Sequence, residues 1–222
     1  MLRRLVLLTV ALALALPAVA TAAAPPYRSS VQPLNPTVQQ QLIKAGAWHR
    51  GCPVALSGLR LLTVTHRDFA GRVRRGQLVV NADVAAPLAG VFRDLYRAGF
   101  RIRHMRFADS YGPVAGRPED DVTGSFWCRQ AVPSPCTGGT GTGSWSNHAH
   151  GLAIDLNPRE NPYVGCGQSR HPRTRPYFDR AKHRRGMVNP RVIAAFAAIG
   201  WEWGGSWTGD TKDYMHFSHN GH

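Results

Sequence analysis

Four side chains in the second half of this chain have the types and spacing to build a hydrolytic metal site. His148 and Asp155 lie in Ser146–Pro158 (SNHAHGLAIDLNP), and Asp213 and His216 lie in Lys212–Phe217 (KDYMHF). Imidazole nitrogen and carboxylate oxygen both suit zinc, and a catalytic zinc site keeps three protein ligands and leaves a fourth position to water. His148, Asp155 and His216 make such a set. Water held there ionises near pH ~7, and the ion polarises a scissile carbonyl. Asp213 is close to His216 in sequence but outside the ligand set, which makes it the candidate general base and acid. Arg129 is the candidate for binding a substrate carboxylate or steadying a developing oxyanion, and Ser146 is a candidate substrate contact.

Something must position these groups. Gly151, Ala153 and Asp155 read as one face of a β-strand, with Leu152, Ile154 and Leu156 pointing the other way into a core. Small residues on the Asp155 face would leave room above the carboxylate, and His148 falls in the turn just before. His148 and His150 alternate, so His150 is a second claimant, expected to line the pocket instead. His219 and His222 are expected to fray. No Gly-x-Ser-x-Gly elbow supports a serine nucleophile, and the cysteines read as structural.

The remaining elements follow in order. Leu59–Thr65 is an apolar, strand-like run, Arg67–Gly76 a charged turn and Gln77–Val80 a second strand. Asn81 or Asp83 caps a helix to about Ala98, whose stripe of Val84, Leu88, Val91, Phe92 and Leu95 faces the core. Phe100–Phe107 reads as a basic strand. From Ala108 to Ser144 periodicity vanishes in a Gly, Pro, Ser and Thr-rich stretch, a loop long enough to be one wall of a site. Asn189 and Pro190 open a helix that ends at Gly200. Trp201–Trp203 and Tyr214–Phe217 are short strands, with the tryptophans as core and rim packing. This pattern is α+β, helices on an antiparallel sheet.

Composition sets the context. The 222 residues suit one domain behind a leader. Met1–Ala24 has the basic start, apolar run and small-residue end of a signal peptide. Residues 25–57 read as a polar N-terminal extension and 58–222 as the domain proper. Net charge is +14, falling to +12 without the leader, which carries two Arg and no acid. The charges are scattered and no nucleic-acid module accompanies them, so attraction to an anionic cell envelope is the better reading. No later stretch could span a membrane, and a secreted or envelope-located monomer is expected. Cys52, Cys128, Cys136 and Cys166 are an even set in an exported chain, which points to two disulfides. The short loop favours Cys128–Cys136, leaving Cys52–Cys166.

Ser146-x-His148-x-x-Gly151-x-Ala153-x-Asp155 followed by Asp213-x-x-His216 resembles the signature of the zinc D-alanyl-D-alanine carboxypeptidase family. That family includes the vancomycin-resistance D,D-peptidases and the phage L-alanyl-D-glutamate endopeptidases. His66–Asn81, SFWCR (Ser125–Arg129), NPYV (Asn161–Val164) and GWEWGGSW (Gly200–Trp207) look like its endolysin-like branch. The resemblance implies a small α+β domain of the hedgehog and D,D-peptidase type, its central antiparallel sheet flanked by helices and carrying the metal. It implies Zn²⁺ on His148, Asp155 and His216, Asp213 as base, Arg129 as the substrate-orienting Arg, and peptidoglycan stem peptides as substrate. The chain departs from that branch at His150, where an aromatic residue is usual, and in the Gly/Thr-rich run after Arg129. A zinc-containing wall-binding module without turnover is the alternative. A basic exported protein that binds nucleic acid is a third reading, and it leaves both motifs unexplained.

Overall fold

The computed structural model describes residues 25–107, 121–131, 143–165 and 172–221. The leader, Cys136, Cys166 and His222 lie outside these residues, as do most of the Gly/Pro-rich stretch and part of the second loop.

The first half is built on a long hairpin, β2 (Leu59–Arg67) and β3 (Val73–Asn81), in register from Leu59↔Asn81 to Arg67↔Val73. Asp68 closes the turn. Its Oδ1 accepts from the N–H groups of Ala70 and Arg72, and its Oδ2 from Nε of Arg72 and Arg74. The strand therefore starts at Val73, well before the expected Gln77, because Arg74 and Arg75 point into water while their backbone keeps the ladder. Ahead of the hairpin, β1 (Ser29–Pro33) pairs antiparallel with β2, and α1 (Pro36–Lys44) starts where Asn35 Oδ1 accepts from Val38 N–H.

Helix α2 (Ala82–Arg97) follows β3 directly, capped by Asn81; Pro87 falls in its second turn, past the first-turn position where proline costs nothing, and gives the Asp83 carbonyl no N–H. Leu88, Val91, Phe92 and Leu95 are buried against Leu62, Val64, Leu78 and Val80, while Val84 is only half-buried. Then come β4 (His104–Met105), β5 (Val122–Thr123), α3 (Asn147–His150), β6 (Ala153–Asp155) and β7 (Tyr163–Val164). After α4 (Pro190–Ala197), held at Asn189, the chain ends in β8 (Glu202–Trp203), β9 (Lys212–Asp213) and β10 (His216–Ser218). Phe100–Phe107 supplies only the two-residue β4, which pairs parallel with β5, plus a bridge from Arg101 to Arg67. The expected full strand has too little partner to form.

The architecture is α+β, as the pattern implied, with several small sheets in place of one central sheet: β1-β2-β3, β6-β10-β8, the pair β4-β5 and the pair β7-β9. One apolar core joins the two larger sheets. Ile154 on β6 and Phe217 on β10 are fully buried with Phe196 of α4, and the Phe196 and Phe217 rings stack at 4.0 Å. Burying a side chain of this size stabilises by roughly 1.5–3 kcal/mol, so the alternate residues of β6 and β10 are firmly turned the other way. A second core lies under α1, around Leu42, Leu59, Val79 and Phe126.

Cys52 bonds Cys128, not Cys166, which removes the expected Cys128–Cys136 pair. The pairing follows tertiary packing: Cys128 N–H donates to Ala47 O at 2.9 Å, which brings the Ser125–Arg129 segment against the turn after α1. Among the described residues no helix is long and apolar enough to cross a membrane.

Candidate metal centre

Antiparallel pairing of β10 with β6 places His216 directly opposite Asp155. Their shared register turns Ile154 and Phe217 inward and presents the imidazole and carboxylate on the other face. His216 Nδ1 lies 3.2 Å from Asp155 Oδ1. His148 arrives from α3, and its Nε2 lies 3.3 Å from Asp155 Oδ2. The two imidazoles meet edge-on, with ring centres 5.2 Å apart. All three residues are buried, and their ligating atoms lie within 4.8 Å of one another.

His148 is held by its neighbours from three sides. Its Nδ1–H donates to Ser125 O at 2.6 Å, so Nε2 carries the lone pair that faces Asp155. Its own carbonyl accepts from Trp127 N–H at 3.1 Å. Its backbone N–H donates to Ser146 Oγ at 3.3 Å, which makes Ser146 the N-cap of α3. The end of the turn is Gly151, at φ +67°, where an added Cβ would stand 2.6 Å from Asn81 N. The glycine therefore serves the left-handed cap and the close approach of β3, not clearance above Asp155, as the strand reading supposed. Asn81 Nδ2 donates to His150 O, tying the start of α2 to this turn. His150 itself stays outside the ligand group.

Asp213 stands beside the three ligands. β9 pairs with β7 through Tyr163↔Asp213, and Gly204 lets the following turn close over it, since a Cβ there would lie 2.5 Å from Asp213 O. Asp213 Oδ1 is sealed from solvent and has no hydrogen-bond partner. Burial pushes its carboxyl up to about 7, reinforced by the charge of Asp155 and opposed by His216, the Met215 N–H and Arg129. Asp155 is moved the other way. Burial alone would raise it, but the fields and hydrogen bonds of His148 and His216 hold it well below the usual carboxylate range. The two carboxyls are thus split, one ionised between imidazoles and one poised near neutrality, which is how an acid–base pair is divided.

Arg129 is on the same wall. Its carbonyl accepts from Ser146 N–H, its guanidinium donates to Gln130 O at 3.2 Å, and its charge reaches Asp213. The Cys52–Cys128 bond immediately before it anchors this wall. Trp207 borders the pocket, its ring centre 6.1 Å from that of His216.

The donor set fits a divalent ion. The His148 and His216 imidazoles, the first with its Nε2 lone pair toward Asp155, and one ionised carboxylate are a zinc-type set. His216 Nε2 and Asp213 Oδ1 are buried without partners, which marks a polar pocket whose inventory is incomplete. Ser125 was not singled out from the sequence as an orienting group, because a backbone carbonyl leaves no residue-type signal.

Residues 140–219 match the family model described as D-alanyl-D-alanine carboxypeptidase. The matched stretch contains His148, Asp155, Asp213 and His216, and it supports a peptidase of that type. No curated protein and no solved structure matches the chain.

Proposed function

We propose that this protein is an exported zinc metallopeptidase that hydrolyses peptide bonds in peptidoglycan stem peptides, as a D,D-carboxypeptidase or an L-alanyl-D-glutamate-type endopeptidase. The observation that supports it is the meeting of His148, Asp155 and His216 with the partnerless Oδ1 of Asp213 beside them. Zinc on the three ligands would lower the pKa of a water and polarise the scissile carbonyl.

The chain's own groups supply the remaining work. Asp213 takes a proton from the attacking water and returns it to the departing amine, a role suited to a carboxyl beside the ligands but outside their set. Ser125 O fixes the His148 tautomer, so its lone pair stays on Nε2. The guanidinium of Arg129 offers a fork for a substrate carboxylate or the developing oxyanion. Ser146 shapes the same wall through its cap of α3, next to where a substrate would lie. Export rests on the leader-like Met1–Ala24, and a monomer with residues 25–57 packed on a catalytic domain is the simplest form. A wall-binding module without turnover would have no use for the buried carboxyl of Asp213.

The mature protein should release D-alanine or cleaved stem peptide from purified peptidoglycan, and fragment masses would name the bond. Intact peptidoglycan after incubation with zinc-loaded protein would refute the hydrolase reading.

A further inference from the structure

Two sets of arginines among the described residues contrast. Arg72, Arg74, Arg93 and Arg103 are neutralised, by Asp68, Asp94 or the buried pair Asp121 and Glu160. Arg101, Arg184, Arg185 and Arg191 have no carboxylate partner among the described residues, and all four line one open cleft of about 750 Å³ together with His183. The single acid on its wall, Asp94, is engaged by Arg93 Nε at 3.1 Å.

The cleft lies between the end of α2 with the turn after it and the loop that leads into α4. Arg184 and Arg185 are tethered there by single bonds to Pro176 O and Phe69 O, at 3.1 and 2.7 Å, which holds them in place and leaves other N–H donors available. Arg101 Nη1 is sealed from solvent without an acceptor, so Arg101 adds charge to the cleft wall and not a free Nη1 donor. Unpaired guanidinium groups gathered on one concave surface repel one another, and an anion relieves that repulsion. None of His148, Asp155, Asp213 or His216 lines the cleft.

We infer that this cleft, distinct from the metal centre, binds the phosphate groups of a linear, base-free polyanion. Each in-chain phosphate presents two terminal oxygens to a guanidinium fork, and in a linear chain these charges follow one another more closely than carboxylates on a polypeptide. An open cleft walled by four cations suits a run of charges more than one ion. Single-stranded nucleic acid is disfavoured because its binding grooves offer aromatic faces for base stacking. The aromatic ring on this wall, Phe100, is buried in the core.

The inference does not depend on hydrolysis, so its test reads binding alone. Linear inorganic polyphosphate is titrated against the full mature protein, Arg184→Gln/Arg185→Gln/Arg191→Gln, and Arg28→Gln/Arg50→Gln/Arg60→Gln, which loses the same charge elsewhere. The cleft variant should bind at least tenfold more weakly. Its slope of log affinity against log salt should be shallower by about 0.7 for each lost contact, with the control near wild type. An Arg→Lys version at the same three cleft positions keeps the charge but loses the forks and should fall between, and circular dichroism checks that each variant is folded. Equal losses in cleft and control variants, or no binding by the wild type, would overturn the site. Tighter binding of single-stranded DNA, or equal binding of poly-glutamate, would overturn the ligand class.

Discussion

Two buried polar clusters sit on either side of the Asp155–Asn161 segment, and they are finished to different degrees. Behind it, the amide of Asn161 is fully used: Nδ2 donates to the carbonyls of Leu156, Asn157 and Gly186, and Oδ1 accepts from Val188 N–H and Arg180 Nη2. Asn157 likewise bonds Arg101 O, Gly186 O and Arg103 N–H. In front, His216 Nε2 and Asp213 Oδ1 are buried with nothing to bond. Burying polar atoms unpaired is costly, whereas a closed network is not. The contrast separates a scaffold from a site: the Asn157 and Asn161 amides complete themselves, and the front cluster is completed by what it binds.

Substitutions on each side should therefore fail differently. The largest effect is expected for Asp213→Asn, which keeps the shape but cannot move the proton. Turnover should drop about 10²–10⁴-fold in steady-state assays at equal metal content, and wild-type turnover would remove Asp213 from the chemistry. Asn161→Ala should act on stability, because it strands several buried backbone groups. A loss of roughly 3–5 kcal/mol in denaturant unfolding is expected, and a loss under about 1 kcal/mol would break the scaffold reading.

Next to these amides Glu160, bonded through Oε1 to Arg103 and Tyr177 but with Oε2 buried and unpartnered, gives a pH signature. Glu160 is fully buried, and burial, then the neighbouring Asp121, push its carboxyl up to about 8 against the pull of Arg103. Below its unfolded pKa of about 4.3 both states keep the proton. Between there and about 8 only the folded state keeps it, so unfolding releases a proton and stability falls as pH rises through that window. Glu160→Gln should flatten the dependence of melting temperature between pH ~5 and ~8.5, and an unchanged slope would assign the dependence elsewhere. The smallest effect is expected at Ser146→Ala, which removes the cap of α3 and should cost about 1 kcal/mol in the same unfolding assay. If hydrolysis falls much further than this accounts for, Ser146 touches substrate as well.

What could be read from the chain before its fold divides along physical lines. The grouping of His148, Asp155 and His216 could be expected because few other chemistries use those types at that spacing. The caps Asn81 and Asn189 and the apolar stripe of α2 were visible because their causes are local. The Cys52–Cys128 bond was not, since it spans 76 residues and depends on the turn after α1 meeting the Ser125–Arg129 segment. Nor was α3, because four residues carry no period, and the His148–Ala149–His150 alternation looks like a strand until Ser146 and Gly151 are seen capping a turn. Gly151 was correctly singled out for the wrong reason: its φ of +67° and the nearness of Asn81 are properties of the assembled backbone.

The central claim is that three ligands converge while the neighbouring carboxyl stays off the metal. Zinc content after equilibrium dialysis tests it most directly, on wild type, His148→Ala, Asp155→Ala, His216→Ala and Asp213→Ala in parallel. The account predicts one tightly held zinc per chain in wild type and Asp213→Ala, and its loss from each of the other three. Zinc retained by any of those three folded ligand variants, or lost from Asp213→Ala, would contradict it.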